Sequence, residues 1–317
     1  MALTQTPEER FADVPDYPYE PAYVEVGDDG ARMAYVDVGH ESGGDGAAAD
    51  EGVGDSGTDD SGETFLCLHG EPTWGFLYRK MIPTLAEAGR VVVPDFLGFG
   101  RSDKYTERDE YSFETHYEAL AAFVEALELT NVTLVCQDWG GILGLTYAAD
   151  EPDRFARLVP MNTGVPSGDQ EMPEEWEQFR EFVEGVEELP IRMLIQNTTA
   201  TDLADAELAA YEAPFHTEAA KAGAREWPDM VPREDGGDGA EMTRAAAERL
   251  GEWTKPALVL FADSDPITRP NRDPLRELIP TASEQPDTWV EGAMHFLQED
   301  AGEDIAEGIV AFVERTR

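Results

Sequence analysis

Residues Val135-Cys136-Gln137-Asp138-Trp139-Gly140-Gly141 carry an apolar strand run straight into a helical pattern. A polar residue, Asp138, stands at the junction, with the small residues Cys136 and Gly140 two positions to either side. That is the spacing of a nucleophile elbow, a turn so tight that its central side chain is pushed out above the sheet. It emerges at the carboxyl end of the strands, where α/β sheets place their ligands. Asp is also a favoured helix N-cap. On this segment alone two readings stand, a nucleophile or a cap.

Two further segments bear on the choice. His69-Gly70-Glu71-Pro72-Thr73-Trp74 follows another apolar strand run. A His-Gly turn there can aim the backbone N–H of Glu71 at the same point as that of Trp139, and two such donors make an oxyanion hole. An ordinary strand-end turn is the alternative. Farther on, Asp263-Ser264-Asp265-Pro266 follows one strand run, and Gly292-Ala293-Met294-His295 the next. Nucleophile, acid, then histidine is the triad order of the α/β-hydrolase fold. Of the five histidines (His40, His69, His116, His216, His295), only His295 lies between the last strand run and a final helix. Asp265 is preferred to Asp263 as its partner, since Asp-Pro sits farther from the strand and nearer the histidine loop. Asp263 is expected to cap the turn.

The rest of the chain suits such a fold. Strands are predicted at Met33–Val38, Thr64–Leu68, Arg90–Pro94, Val132–Gln137, Leu158–Asn162, Ala257–Ala262 and Thr288–Val290. Helices are predicted at Tyr78–Ala88, Ser112–Leu127, Gly141–Ala149 and Glu303–Arg315. The alternation implies a mostly parallel central sheet flanked by helices. Residues 1–164 and 251–317 form this α/β core. Residues 165–250 show helical patterns (Glu174–Glu187, Ala204–Glu212), a loop at Asp235–Gly239 and no strand, and read as an inserted helical cap. Residues 41–63 hold eight acids, no base and much Gly, Ala and Ser, and are expected to be a disordered surface loop.

With 317 residues, 67 acids and 23 Lys plus Arg, the chain carries a net charge of −44. Only four of the bases are lysines. Such self-repulsion opposes compactness at low salt, whereas at ~1 M salt the Debye length falls to ~3 Å. The composition reads as a solvated surface adapted to a salt-filled cytoplasm. It argues against nucleic-acid binding, which needs a basic footprint. Met1–Phe11 is too polar for a secretory signal, and no apolar run nears the ~18 residues of a membrane span. A cytoplasmic protein, monomeric or a small homo-oligomer, is expected. Cys67 and Cys136 sit in apolar runs and read as buried thiols, with no metal site or cofactor suggested.

The sequence resembles the haloalkane dehalogenases, a family with the α/β-hydrolase fold. The match is close over HGEPTW (69–74), Leu77–Lys104, VCQDWGG (135–141), MNTGVP (161–166) and AMHFLQED (293–300), and extends over most of residues 20–315. The resemblance implies nucleophile Asp138, acid Asp265, base His295 and oxyanion donors Glu71 and Trp139. It also implies that the Trp139 indole N–H meets the departing halide. A second tryptophan from the early cap is expected in this branch. The best register puts Phe179 there, with Trp176 one turn earlier; Phe has no N–H to offer.

The residue types suit the reaction implied. A carboxylate is ionised at neutral pH and can displace halide from carbon without a base. Water activated by His295 then hydrolyses the alkyl ester. The partners are a small apolar halogenated substrate, water and halide ion. An epoxide hydrolase shares this triad chemistry but is expected to supply two cap tyrosines, and residues 165–250 contain only Tyr211. Fluoroacetate chemistry would want Arg where Trp139 stands. A ligand-binding protein that keeps the fold without turnover is the third reading. Phe179, Phe182, Met193, Leu194 and Phe215 are candidates for cap core or substrate wall.

Overall fold

A computed structural model describes residues 2–27, 29–39, 62–168 and 172–317. The chain opens with β1 (Leu3–Thr4), β2 (Ala22–Glu25) and β3 (Arg32–Val38). There follow β4 (Thr64–Leu68), α1 (Ile82–Ala88), β5 (Arg90–Pro94), β6 (Lys104–Tyr105), α2 (Phe113–Ala126), β7 (Val132–Gln137), α3 (Trp139–Asp150) and β8 (Phe155–Met161). Next come α4 (Glu174–Gly185), α5 (Ile191–Asn197), α6 (Asp205–Glu212), α7 (Ala222–Met230) and α8 (Ala240–Leu250). The chain closes with β9 (Phe261–Ala262), α9 (Arg272–Leu278), β10 (Trp289–Val290) and α10 (Leu297–Arg315).

The main sheet runs β2-β3-β5-β4-β7-β8. β3 is antiparallel to both its neighbours, and every other pairing is parallel. Beyond β8, Ala257 and Leu260 bridge Leu158 and Met161 in parallel, and β9 pairs with β10 in parallel. The central strands β4 and β7 are buried at every residue, as apolar runs covered on both faces must be. α3 is buried along nearly its whole length, since it is apolar all round. α2 starts where Ser112 accepts the N–H of Thr115, a side-chain cap.

Several sequence expectations need adjusting. The helix expected at Tyr78–Ala88 is a 3-10 turn (Gly75–Tyr78) followed by α1, which has Pro in its first turn. The last helix starts at Leu297, with a break in helical geometry at Ala301. β2 is an edge strand too short and too polar to stand out in sequence. Most of the acidic stretch falls at residues 40–61, outside the described residues. Its last member, Glu63, departs from the expectation of a surface loop. It is buried, pairs with Arg157 at 2.8 Å and accepts the Thr133 hydroxyl at 2.5 Å. A carboxylate is held there because both partners project from neighbouring strands.

Two of the cations are shared among several acids. Arg108 meets Glu184, Glu226 and Asp229 at 2.6, 2.6 and 2.9 Å, joining a core loop to α4 and α7. Arg79, almost fully buried, pairs with Glu299 of α10 and, at 2.6 Å, with Glu207 of α6. α8 packs on α3. These contacts hold the helical segment over the carboxyl ends of the strands.

Candidate active site

Asp138 has φ 51° and ψ −123°, a left-handed backbone that costs a non-glycine residue on the order of 1–3 kcal/mol. Packing imposes it. A Cβ at Gly140 would stand 2.3 Å from the Leu68 carbonyl oxygen, and one at Gly70 would stand 2.4 Å from Cβ of Asp138. The turn can therefore close only around glycine. The Asp138 side chain makes no cap bond to α3. Instead Oδ1 accepts the Glu71 N–H at 2.9 Å, and the N–H of Trp139, at the start of α3, faces the same carboxylate. Burial raises the Asp138 pKa, and His295 and the two N–H groups pull it back. Between cap and elbow, the geometry is that of the elbow.

His295 stands between β10 and α10. Its Nδ1 lies 3.1 Å from Oδ2 of Asp265, and its Nε2 3.7 Å from Oδ2 of Asp138. Asp265 is buried and fully engaged. It accepts the N–H of Ile267 at 2.8 Å, the N–H of Thr268 at 3.2 Å and the Thr268 hydroxyl. Burial opposes its ionisation, but His295, Thr268 and Ile267 hold it below the usual carboxylate range. Burial likewise lowers His295, while Asp265 and Asp138 outweigh it and leave the imidazole above its ordinary pKa. Asp263 does cap the turn, accepting the Ser264 hydroxyl and the Gly292 N–H, both at 2.9 Å.

Asp138, Trp139, Glu71 and His295 open on a cavity of about 290 Å³. Trp176 and Phe179, one turn apart on α4, both line it. The indole N–H groups of Trp74 and Trp227 are engaged outside the cavity, donating to the Ala210 carbonyl at 3.1 Å and to His116 Nε2 at 2.6 Å. Of the other wall candidates, Leu194 lines the cavity and Phe215 is buried against Phe99. Phe182 and Met193 do neither; they are exposed at 38% and 42%. Tyr211 lies outside the cavity, its hydroxyl bonded to the buried Glu299.

Sequence reasoning passed over Asn162, which here joins four parts of the site. Its amide donates to the Met294 and His295 carbonyls at 3.0 and 2.9 Å. Its Oδ1 accepts the Ala262 N–H at 2.9 Å, and its carbonyl accepts the Asp138 N–H at 3.1 Å. The available signal was a polar residue directly after an apolar strand. His69 is structural. Burial lowers its pKa to about 4, and its neutral Nε2 accepts the Phe96 N–H at 3.0 Å.

A strained acid on a strand-to-helix turn, facing a histidine paired to a second acid, defines an α/β hydrolase, and residues 63–285 match the α/β-hydrolase fold family. The chain is 40% identical over 317 residues to a haloalkane dehalogenase of Psychrobacter cryohalolentis, spanning 99% of this chain and 98% of that one. It is 39% identical over 320 residues to haloalkane dehalogenase 1 of Mycobacterium tuberculosis, covering 100% of both. The tetrameric structure of haloalkane dehalogenase DpaA from Paraglaciecola agarilytica superposes with a TM-score of 0.84, at 38% identity and 97% coverage of each chain. The chain belongs to the haloalkane dehalogenases, hydrolases that act on carbon–halogen bonds.

Proposed function

We propose that Asp138 is the nucleophile, His295 the base, Asp265 its acid partner, and the Glu71 and Trp139 backbone N–H groups the oxyanion hole. Oδ2 of Asp138 bonds to the carbon bearing the halogen, and the carbon–halogen bond breaks. The halide leaves with its electron pair toward the indole N–H of Trp139, with Trp176 as second donor and Phe179 as apolar wall. Water then adds through oxygen to Cγ of the ester, giving one proton to Nε2 of His295. The carbonyl oxygen, Oδ1, bears the developing charge against its N–H donors. The Cγ–Oδ2 bond breaks, the alcohol takes the proton from His295, and the restored carboxyl ionises.

The observation that carries this reading is the division of labour on one carboxylate. Oδ1 accepts the Glu71 N–H at 2.9 Å, Oδ2 is 3.7 Å from Nε2 of His295, and both Asp138 and His295 line the cavity. An epoxide hydrolase would need a ring-protonating hydroxyl in that cavity, and Tyr211 is bound to Glu299 elsewhere. We take residues 165–250 as the cap. The protein acts in a salt-rich cytoplasm as a monomer or small homo-oligomer, and among the described residues no helix is long and apolar enough to cross a membrane. The test is release of bromide and protons from 1-bromobutane and 1,2-dibromoethane in molar KCl, read by ion chromatography and pH-stat. Diol from styrene oxide with no bromide would favour the epoxide reading. Tight binding of bromoalkane without either product would favour a binding protein.

A further inference from the structure

Gln137 is the last residue of β7 and is fully buried beside the triad. Its amide Nε2 lies 3.1 Å from Nε2 of His295 and 3.4 Å from the His295 carbonyl oxygen. Its Oε1 is buried with no hydrogen-bond partner. An unmet buried acceptor is costly and calls for a reason. The opposite amide orientation would set Oε1 against the His295 carbonyl, oxygen to oxygen, so the resting orientation follows from its neighbours.

His295 gives its Nδ1 hydrogen to Asp265, which leaves a lone pair on Nε2. The Gln137 N–H donates to that lone pair. The contact suits only the neutral ring, because a protonated Nε2 would oppose N–H to N–H. A half-turn of the amide would then bring the unpartnered Oε1 to the imidazolium N–H, a charge-assisted bond that offsets the approach of Oε1 to the His295 carbonyl. We infer that Gln137 is a positioning residue for ester hydrolysis, holding His295 neutral and aimed, yielding the Nε2 lone pair to water as water is deprotonated, then turning its amide to receive the new N–H until the alcohol takes that proton. This rests on the reading of Asp138 as nucleophile and His295 as base.

The groups around the imidazole frame the effect. Asp265 meets Nδ1, Asp138 faces Nε2, and Glu71 lies beyond Asp138 on the turn after β4. The Phe296 ring packs at 4.9 Å. Glu299 on α10 is already paired with Arg79 and Lys80. Both aspartates favour the charged ring. Gln137 opposes them, since a donor bonded to the neutral form disfavours protonation.

The experiment follows decay of the esterified Asp138 peptide by quenched mass spectrometry across pH, in wild type, Gln137→Met and Gln137→Glu. Met keeps the bulk and removes the donor; Glu accepts without donating. Hydrolysis needs neutral His295. Its acid limb is expected to move up by about 0.5–1 pH unit in Gln137→Met, and farther in Gln137→Glu. Decay slowed equally at all pH values, with the limb unmoved, would overturn the inference. Should Gln137→Met fail to fold, ¹⁵N titration of His295 in wild type and Gln137→Glu decides, and equal midpoints would overturn it. Absence of any ester in wild type is a separate result, because it removes the nucleophile reading itself.

Discussion

Nε2 of His295 stands 3.7 Å from Oδ2 of Asp138, beyond hydrogen-bond length. Imidazole and nucleophile therefore do not share a proton. In the proposed mechanism this leaves the carboxylate to attack carbon unaided and gives the imidazole its part in the second step.

That separation predicts the fate of His295→Gln. Ester formation is expected to continue and hydrolysis to stop, so one butyl group per chain accumulates on the Asp138 peptide after exposure to 1-bromobutane. Mass spectrometry of the digest reads it. An unmodified peptide after long incubation would remove the covalent route.

The pH dependence follows from the charges around His295. Asp265 and Asp138 hold the imidazole above its ordinary value of 6.5 against the opposing effect of burial. Esterification neutralises Asp138, so the acid limb of hydrolysis is expected below the midpoint found by ¹⁵N titration of the free enzyme. Asp265→Asn should lower both and reduce the plateau rate. For stability the sign is opposite. A raised folded pKa contributes stability below the unfolded value, and that contribution fades as pH rises through the folded value.

Trp176 and Phe179 both line the cavity and are the two candidates for the proposed second halide contact. Trp176→Phe removes an N–H donor from the cavity wall and is expected to weaken bromide binding about tenfold, the size of one hydrogen bond to a charged group. Phe179→Trp should strengthen it. Bromide quenching of tryptophan fluorescence checks both, and an unchanged Trp176→Phe would reassign the contact.

Arg79 and Glu299 form a buried ion pair to which Lys80 adds a 3.1 Å contact. Arg79→Met leaves the carboxylate under-compensated and is expected to cost about 3–5 kcal/mol. The double change Arg79→Met with Glu299→Leu should recover much of the loss, because no buried charge is then stranded. Urea unfolding of the wild type and the two variants measures this.

The charge of −44 predicts a steep dependence of stability on salt. Tm should climb as KCl rises from ~10 mM to ~1 M, where the Debye length shrinks from ~30 to ~3 Å. A Tm independent of KCl would undo the reading of the acidic surface as a salt adaptation.

The sequence by itself determined the strands that carry the site. An apolar run buried on both faces has one outcome, and Thr64–Leu68, Arg90–Pro94 and Val132–Gln137 form where expected. It also determined that Asp138 sits at a turn, through glycines that nothing larger can replace, and that Asp265 precedes His295 in order. Tertiary structure alone decided the rest, because those facts depend on groups distant in sequence. Only packing brought Asp265 within 3.1 Å of His295, turned Glu63 inward to Arg157, and pointed Phe182 and Met193 outward. Asn162 and Gln137 were silent in sequence for the same reason: an amide declares its role only when its partners surround it.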